Sequence, residues 1–259
     1  MDLPFADLAV LIRSLGGSAA DLAGVGSVHQ PRSVPVKGII HHTPGSPWTF
    51  RQRAMAIGAG TPADDLERLD LFLAAAFDRR EYIGGYMVGQ RVVVKLEVDD
   101  RTTWHSGALS SQHYGRDWRA WARPLAPGAP AFRLHGRDPH VVYDWWDARY
   151  GADAHPARVF GWGRLPNRCI GVDLVPDATG GYGVLQLAMA AALTALLARV
   201  HGIQLDDRHV TTHSFAAPLE RGSVVRGGRV VGMAWDPPPA HFDLDEHIER
   251  ARAVDSTLT

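Results

Sequence analysis

Val36-Lys37-Gly38-Ile39-Ile40-His41-His42-Thr43-Pro44-Gly45 is an apolar run that closes on two histidines and stops at a Pro-Gly turn. Such a run reads as a buried strand whose carboxyl end carries imidazoles into a cleft. Side chains alternate along a strand, so His41 shares a face with Ile39, and His42 shares the opposite face with Ile40. At most one of the two histidines faces a given site. Far downstream, His213 closes His209-Val210-Thr211-Thr212-His213, and Asp236 sits in Ala234-Trp235-Asp236-Pro237-Pro238-Pro239. Two imidazoles and a carboxylate are a sufficient ligand set for a catalytic zinc that keeps its fourth position for water.

The chain around this stretch has 259 residues, 46% of them hydrophobic, which is ample for one sizeable core. One domain is favoured: an N-terminal helix and connector over residues 1–33, then a catalytic unit over 34–259. A net charge of -1 and a pI near 6.9 give no global pull toward nucleic acid or an anionic membrane. Cys169 is the single cysteine, which excludes an intrachain disulfide framework and a zinc site built from several thiolates. The first residues lack the basic and apolar regions of a secretory signal, so synthesis in the cytoplasm and export by another route are expected. Leu185 to Val200 is the most apolar segment, but Gln186, Thr194 and Arg199 interrupt it, so it reads as a core helix and no membrane span is expected.

Apolar residues at helical spacing predict a helix from Phe5 to Leu15, ended by Gly16-Gly17. Thr61-Pro62 with Asp64 and Asp65 behind it predicts a helix running to about Arg79. Tyr86 to Gln90 and Arg91 to Val98 read as paired strands around a tight turn. They lead into Trp104-His105-Ser106-Gly107. Residues 108–165 are rich in Trp, Tyr, Pro and Gly, a stretch suited either to a substrate wall or to a packing flap. Arg168 to Val175 reads as a central strand with one embedded acid, Asp173. A carboxylate costs several kcal/mol to bury unless it is paired, hydrogen-bonded or protonated, so Asp173 is either tied into a local network or a candidate for acid-base work. A last helix is expected from Asp243, with Glu246 three residues on in a capping-box arrangement.

These pieces, taken in order, resemble the type-2 N-acetylmuramoyl-L-alanine amidases, zinc amidases related to phage lysozyme-type amidases and peptidoglycan recognition proteins. The resemblance covers roughly residues 34 to 250. It rests on Ile39-Ile40-His41-His42-Thr43, Trp104-His105-Ser106-Gly107, Asn167 with Ile170-Gly171-Val172-Asp173-Leu174, Val210-Thr211-Thr212-His213, and Asp236-Pro237-Pro238-Pro239-Ala240-His241-Phe242-Asp243. It implies an α/β fold, a central mixed β-sheet flanked by helices, with the aromatic-rich 108–165 stretch as a long insertion.

The resemblance also implies zinc ligands at His41, His213 and Asp236, with His42 as a packed neighbour. Asp173 falls where the family often carries a catalytic Glu, Tyr86 is a second candidate for the base, and Trp104, His105 and Asn167 fall in segments that meet substrate. The implied reaction is hydrolysis of the lactyl-L-Ala amide of peptidoglycan or muropeptides by a zinc-activated water. Ala234 stands where many active members carry an oxyanion-stabilising Lys, a departure that keeps a non-catalytic peptidoglycan-binding protein as the alternative. The biological settings that fit are a phage endolysin released through a holin, a recycling amidase, or a secreted effector whose partner would be an immunity protein.

Overall fold

The computed structural model describes residues 2–23, 31–43, 85–102, 139–151, 159–160, 165–177, 181–216, 223–227, 229–233 and 236–258. The helix expected over residues 61–79, Trp104, His105 and most of the 108–165 insertion lie outside them.

Two neighbouring strands carry the site, β2 (Gly38–His42) and β5 (Cys169–Leu174), both buried along their whole length. They run parallel, with Gly38 opposite Cys169 and His42 opposite Asp173. Near-continuous apolar strands are what a parallel sheet covered on both faces requires. At one edge β6 (Val210–Thr212) pairs with β2 in parallel, Ile39 opposite Val210 and His41 opposite Thr212. On the other side of β5 lies β3 (Tyr86–Val88), parallel to it, with Met87 opposite Asp173. β4 (Val92–Lys95) returns antiparallel to β3 around a turn in which Gly89 N–H donates to Val92 O at 2.9 Å. β1 (Ser18–Asp21) closes the far edge, parallel to β4. The order β1-β4-β3-β5-β2-β6 makes the expected mixed sheet. A separate hairpin pairs β7 (Ser223–Arg226) with β8 (Arg229–Met233).

One face of the sheet carries Ile39, Tyr86, Val88, Ile170 and Val172 into the main core. Helices α1 (Phe5–Ser14), α4 (Val184–His201) and α6 (Leu244–Asp255) cover it. On α1 the buried Leu8 and Ile12 are four residues apart and share one stripe. The chain leaves that helix through Gly16 at φ +88°, and a Cβ on Gly17 would meet Met189 Sδ at 2.3 Å. α4 is long and apolar enough, by length and composition, to cross a membrane, yet most of it is buried within this fold. Its three polar interruptions are spent on hydrogen bonds: the Gln186 amide donates to Val88 O and Val175 O at the ends of β3 and β5, Thr194 meets two histidines, and Arg199 donates to Asp255. α6 begins as expected, with Asp243 accepting from Glu246 N–H at 3.0 Å. This cap meets one of the orphan amides of the first turn.

The opposite face holds a smaller cluster of Ile40, Cys169, Phe160 and Ala216. Phe160 lies so close to β2 that a Cβ on Gly38 would sit 2.4 Å from its ring. Three short helices complete the described chain: α2 (Pro139–Tyr150), α3 (Leu165–Arg168) and α5 (His213–Ala216). The N-terminal segment is part of the same body, since Lys95 Nζ donates to Asp2 and Leu3 O, and Leu3 N–H donates to Asp99.

Candidate metal centre

Strand register assembles the site. His42 ends β2 directly opposite Asp173 on β5, so the two side chains share a face. His41 lies opposite Thr212, and the residue that follows each, His42 at the end of β2 and His213 at the start of α5, falls on that same side at the strands' carboxyl ends. Their ring centroids are 4.5 Å apart. Asp236 reaches them from the loop that follows β8. Its backbone N–H donates to Ser214 Oγ at 2.6 Å, Thr43 N–H donates to its Oδ1 at 2.5 Å, and its Oδ2 lies 3.2 Å from His213 Nδ1.

The ligand atoms of His42, His213 and Asp236 all lie within 4.8 Å of one another. Bonds of about 2.0–2.2 Å to a tetrahedral zinc would set ligand atoms about 3.3 Å apart. The 3.2 Å between His213 and Asp236 already matches that edge, and the donor set of two imidazoles and one carboxylate suits the ion. His42 and His213 are buried while Asp236 is partly exposed. The cluster can hold a metal ion.

The histidine of β2 that joins the cluster is therefore His42, and the expectation of His41 as a ligand is corrected. His41 points through the sheet to the other face, where its Nε2 meets Thr194 Oγ1 at 3.2 Å and its ring packs edge-on against His247 at 4.5 Å. Burial pushes its pKa down to about 4 against a smaller opposing contribution from the Thr211 backbone. It is a neutral core histidine.

Tyr86 is corrected in the same way. It lies opposite Val172, one residue out of phase with Asp173, and so belongs to the core face. Its hydroxyl donates to Asp99 Oδ1 at 2.8 Å. Burial, and after it the charge of Asp99, raises its pKa well above that of a free phenol, which removes it as a base. Asp99 also accepts from Leu3 N–H and meets His201 Nε2 at 2.8 Å. Burial works to raise its pKa, but these hydrogen bonds outweigh it and hold the carboxylate ionised.

Asn167 lies in α3, which leads into the amino end of β5, whereas the cluster gathers at the carboxyl ends of the strands. Both its amide atoms are engaged with Ser33, Nδ2 donating to Oγ at 2.6 Å and Oδ1 accepting from the backbone at 3.0 Å. It clips the chain that enters β2. Asp173, by contrast, is 4% exposed and stands beside His42.

Three residues around the cluster were not singled out by the sequence. Ser214 and Thr43 hold Asp236 as described, and Tyr182 holds Thr43, with 2.6 Å between the two hydroxyl oxygens. Burial raises the Tyr182 pKa, against the hydrogen bond from Thr43, so the phenol keeps its proton. Thr43 and Ser214 adjoin the motif histidines and could have been suspected on that ground. Tyr182 gives no such signal.

No protein-family model matches the chain, and no curated protein matches it.

Proposed function

We propose that this protein is a zinc-dependent amidase that hydrolyses the lactyl-L-Ala amide of peptidoglycan or its fragments. The observation that carries the reading is the convergence of His42, His213 and Asp236 at the carboxyl ends of parallel strands, with Asp173 beside them on the same face. Zinc held by these three residues supplies a Lewis acid and a water that ionises near neutral pH. The chain's own groups supply the rest. His42 and His213 offer ring nitrogens and Asp236 a carboxylate oxygen, already fixed by Thr43 and Ser214. Asp173 is the group suited to take the proton of the attacking water and return it to the departing amine. It is one methylene shorter than the Glu of the resembled family, and its place opposite His42 in the register brings it to the adjacent strand, about 4.8 Å away.

Incubating the zinc-loaded protein with sacculi and identifying the soluble products by mass spectrometry tests the proposal. Stem peptides with a free L-alanine amino terminus are expected. Sacculi retained by the protein with no peptide released would instead make Ala234 the mark of a peptidoglycan-binding protein on this scaffold.

A further inference from the structure

A cavity of about 340 Å³ opens at the outer edge of β6, bounded by Thr212 and Phe215 on one side and by Pro237 on the other. Those residues are chain neighbours of His213 and Asp236, so the cavity lies close to the candidate centre. Its walls are aromatic: Tyr150 and Phe215 meet edge to face at 4.9 Å, and Phe242 closes the inner side. Asp207, Asp243 and Asp245 also line it, and no Lys, Arg or His does so among the described residues.

We propose that this cavity is a subsite for an ammonium-bearing side chain of the substrate, an inference that rests on the hydrolase function argued above. Aromatic faces attract cations through their quadrupole, and carboxylates at the mouth add charge complementarity. Tyr150 already shows this preference, with the Arg149 guanidinium carbon 5.7 Å from its ring centroid. An anion is the natural guest of a helix amino terminus, and α6 begins at this cavity. That role is taken by the chain itself: Asp243 caps the Glu246 amide, and Asp245 and Glu246 occupy the first turn. Three carboxylates outweigh the roughly half positive charge of a helix terminus, so the local field favours a cation. Apolar walls beneath a charged mouth suit a flexible methylene stem ending in an amine.

The test uses the full chain and a series of muramoyl peptides in which a single lysine is moved along the stem, each paired with its norleucine counterpart. At one position the lysine peptide should be cut with a kcat/KM at least tenfold higher than its partner. The Asp207→Asn/Asp245→Asn double variant should shrink that preference to below threefold while leaving the norleucine peptide unchanged. Equal rates for lysine and norleucine at every position would overturn the subsite. Should no peptide be cut at all, the hydrolase reading fails separately, and the cavity is judged by ligand-observed NMR titration. In that experiment n-pentylammonium should bind at least tenfold more tightly than n-pentanol and lose its advantage in the double variant. Absence of that preference would overturn the proposal independently of any activity.

Discussion

Two clusters, each holding two histidines, stand on opposite faces of β2. His41, Thr194 and His247 lie in the main core, where Thr194 Oγ1 bridges the two Nε2 atoms at 3.2 and 3.0 Å and Phe242 packs against both rings. His42 and His213 lie one residue over, on the other face, with a carboxylate in place of the threonine. The first cluster buries both rings against Phe242, joined through Thr194, and suits neutral imidazoles. The second opens at the strand ends through a partly exposed Asp236. Chemistry is thus assigned by strand parity, since neighbouring residues of one type are sent to opposite faces and only one of the two meets Asp236.

Substitution should separate the two clusters cleanly. His213→Ala is expected to abolish both zinc binding and hydrolysis, an effect larger than the 10–100-fold that loss of an outer partner costs a metal site. Zinc content and sacculus digestion measure it. Asp173→Asn should keep the zinc and lower kcat by about 10²–10⁴-fold, the usual worth of a positioned acid-base group. Retained turnover in that variant would remove Asp173 from the chemistry.

Much of this was legible in the sequence. The alternation of Ile39, Ile40, His41 and His42 showed which residues share a face, the apolar Leu185 to Val200 segment declared a core helix, and Asp243 declared the start of α6. Register was not legible, because it depends on which residue of one strand lies opposite which of another. A motif that ends in two histidines leaves the ligand uncertain by one residue, and the pairing of His42 with Asp173 resolves it. β1 was also missed. Ser18-Ala19-Ala20-Asp21 carries no run of large apolar residues, and its main-chain pairing with β4 makes it a strand. Tyr86 and Asn167 were misjudged for a related reason: Tyr86 lies on the other face of the sheet, and Asn167 lies in α3 before the far end of β5.

The core cluster predicts that stability depends on pH. Burial holds His41 near a pKa of about 4 and, with the charges of His41 and Arg250 adding to it, holds His247 well below the ordinary value. The unfolded chain binds these protons near pH 6.5 while the folded chain refuses them. Stability from this source is full at pH 7 and above and is lost as the pH falls toward 4, with His41 alone contributing on the order of 3 kcal/mol of the change. Urea unfolding of the metal-free protein at pH 7 and pH 4.5 should show the fall, and His41→Gln should flatten it. The smallest expected effect lies at the edge of the metal cluster. Tyr182→Phe removes the hydroxyl that holds Thr43, and should weaken zinc binding by about tenfold with no loss of fold, as competition with a chelator would show.

The claim that organises the account is that His42, and not His41, meets the metal. Zinc titration of His41→Gln and His42→Ala, side by side and with the fold of each checked by circular dichroism, tests it most directly. The account predicts one zinc per chain in His41→Gln, bound as in the unmutated protein, and none in His42→Ala. Zinc retained by His42→Ala and lost from a folded His41→Gln would contradict it.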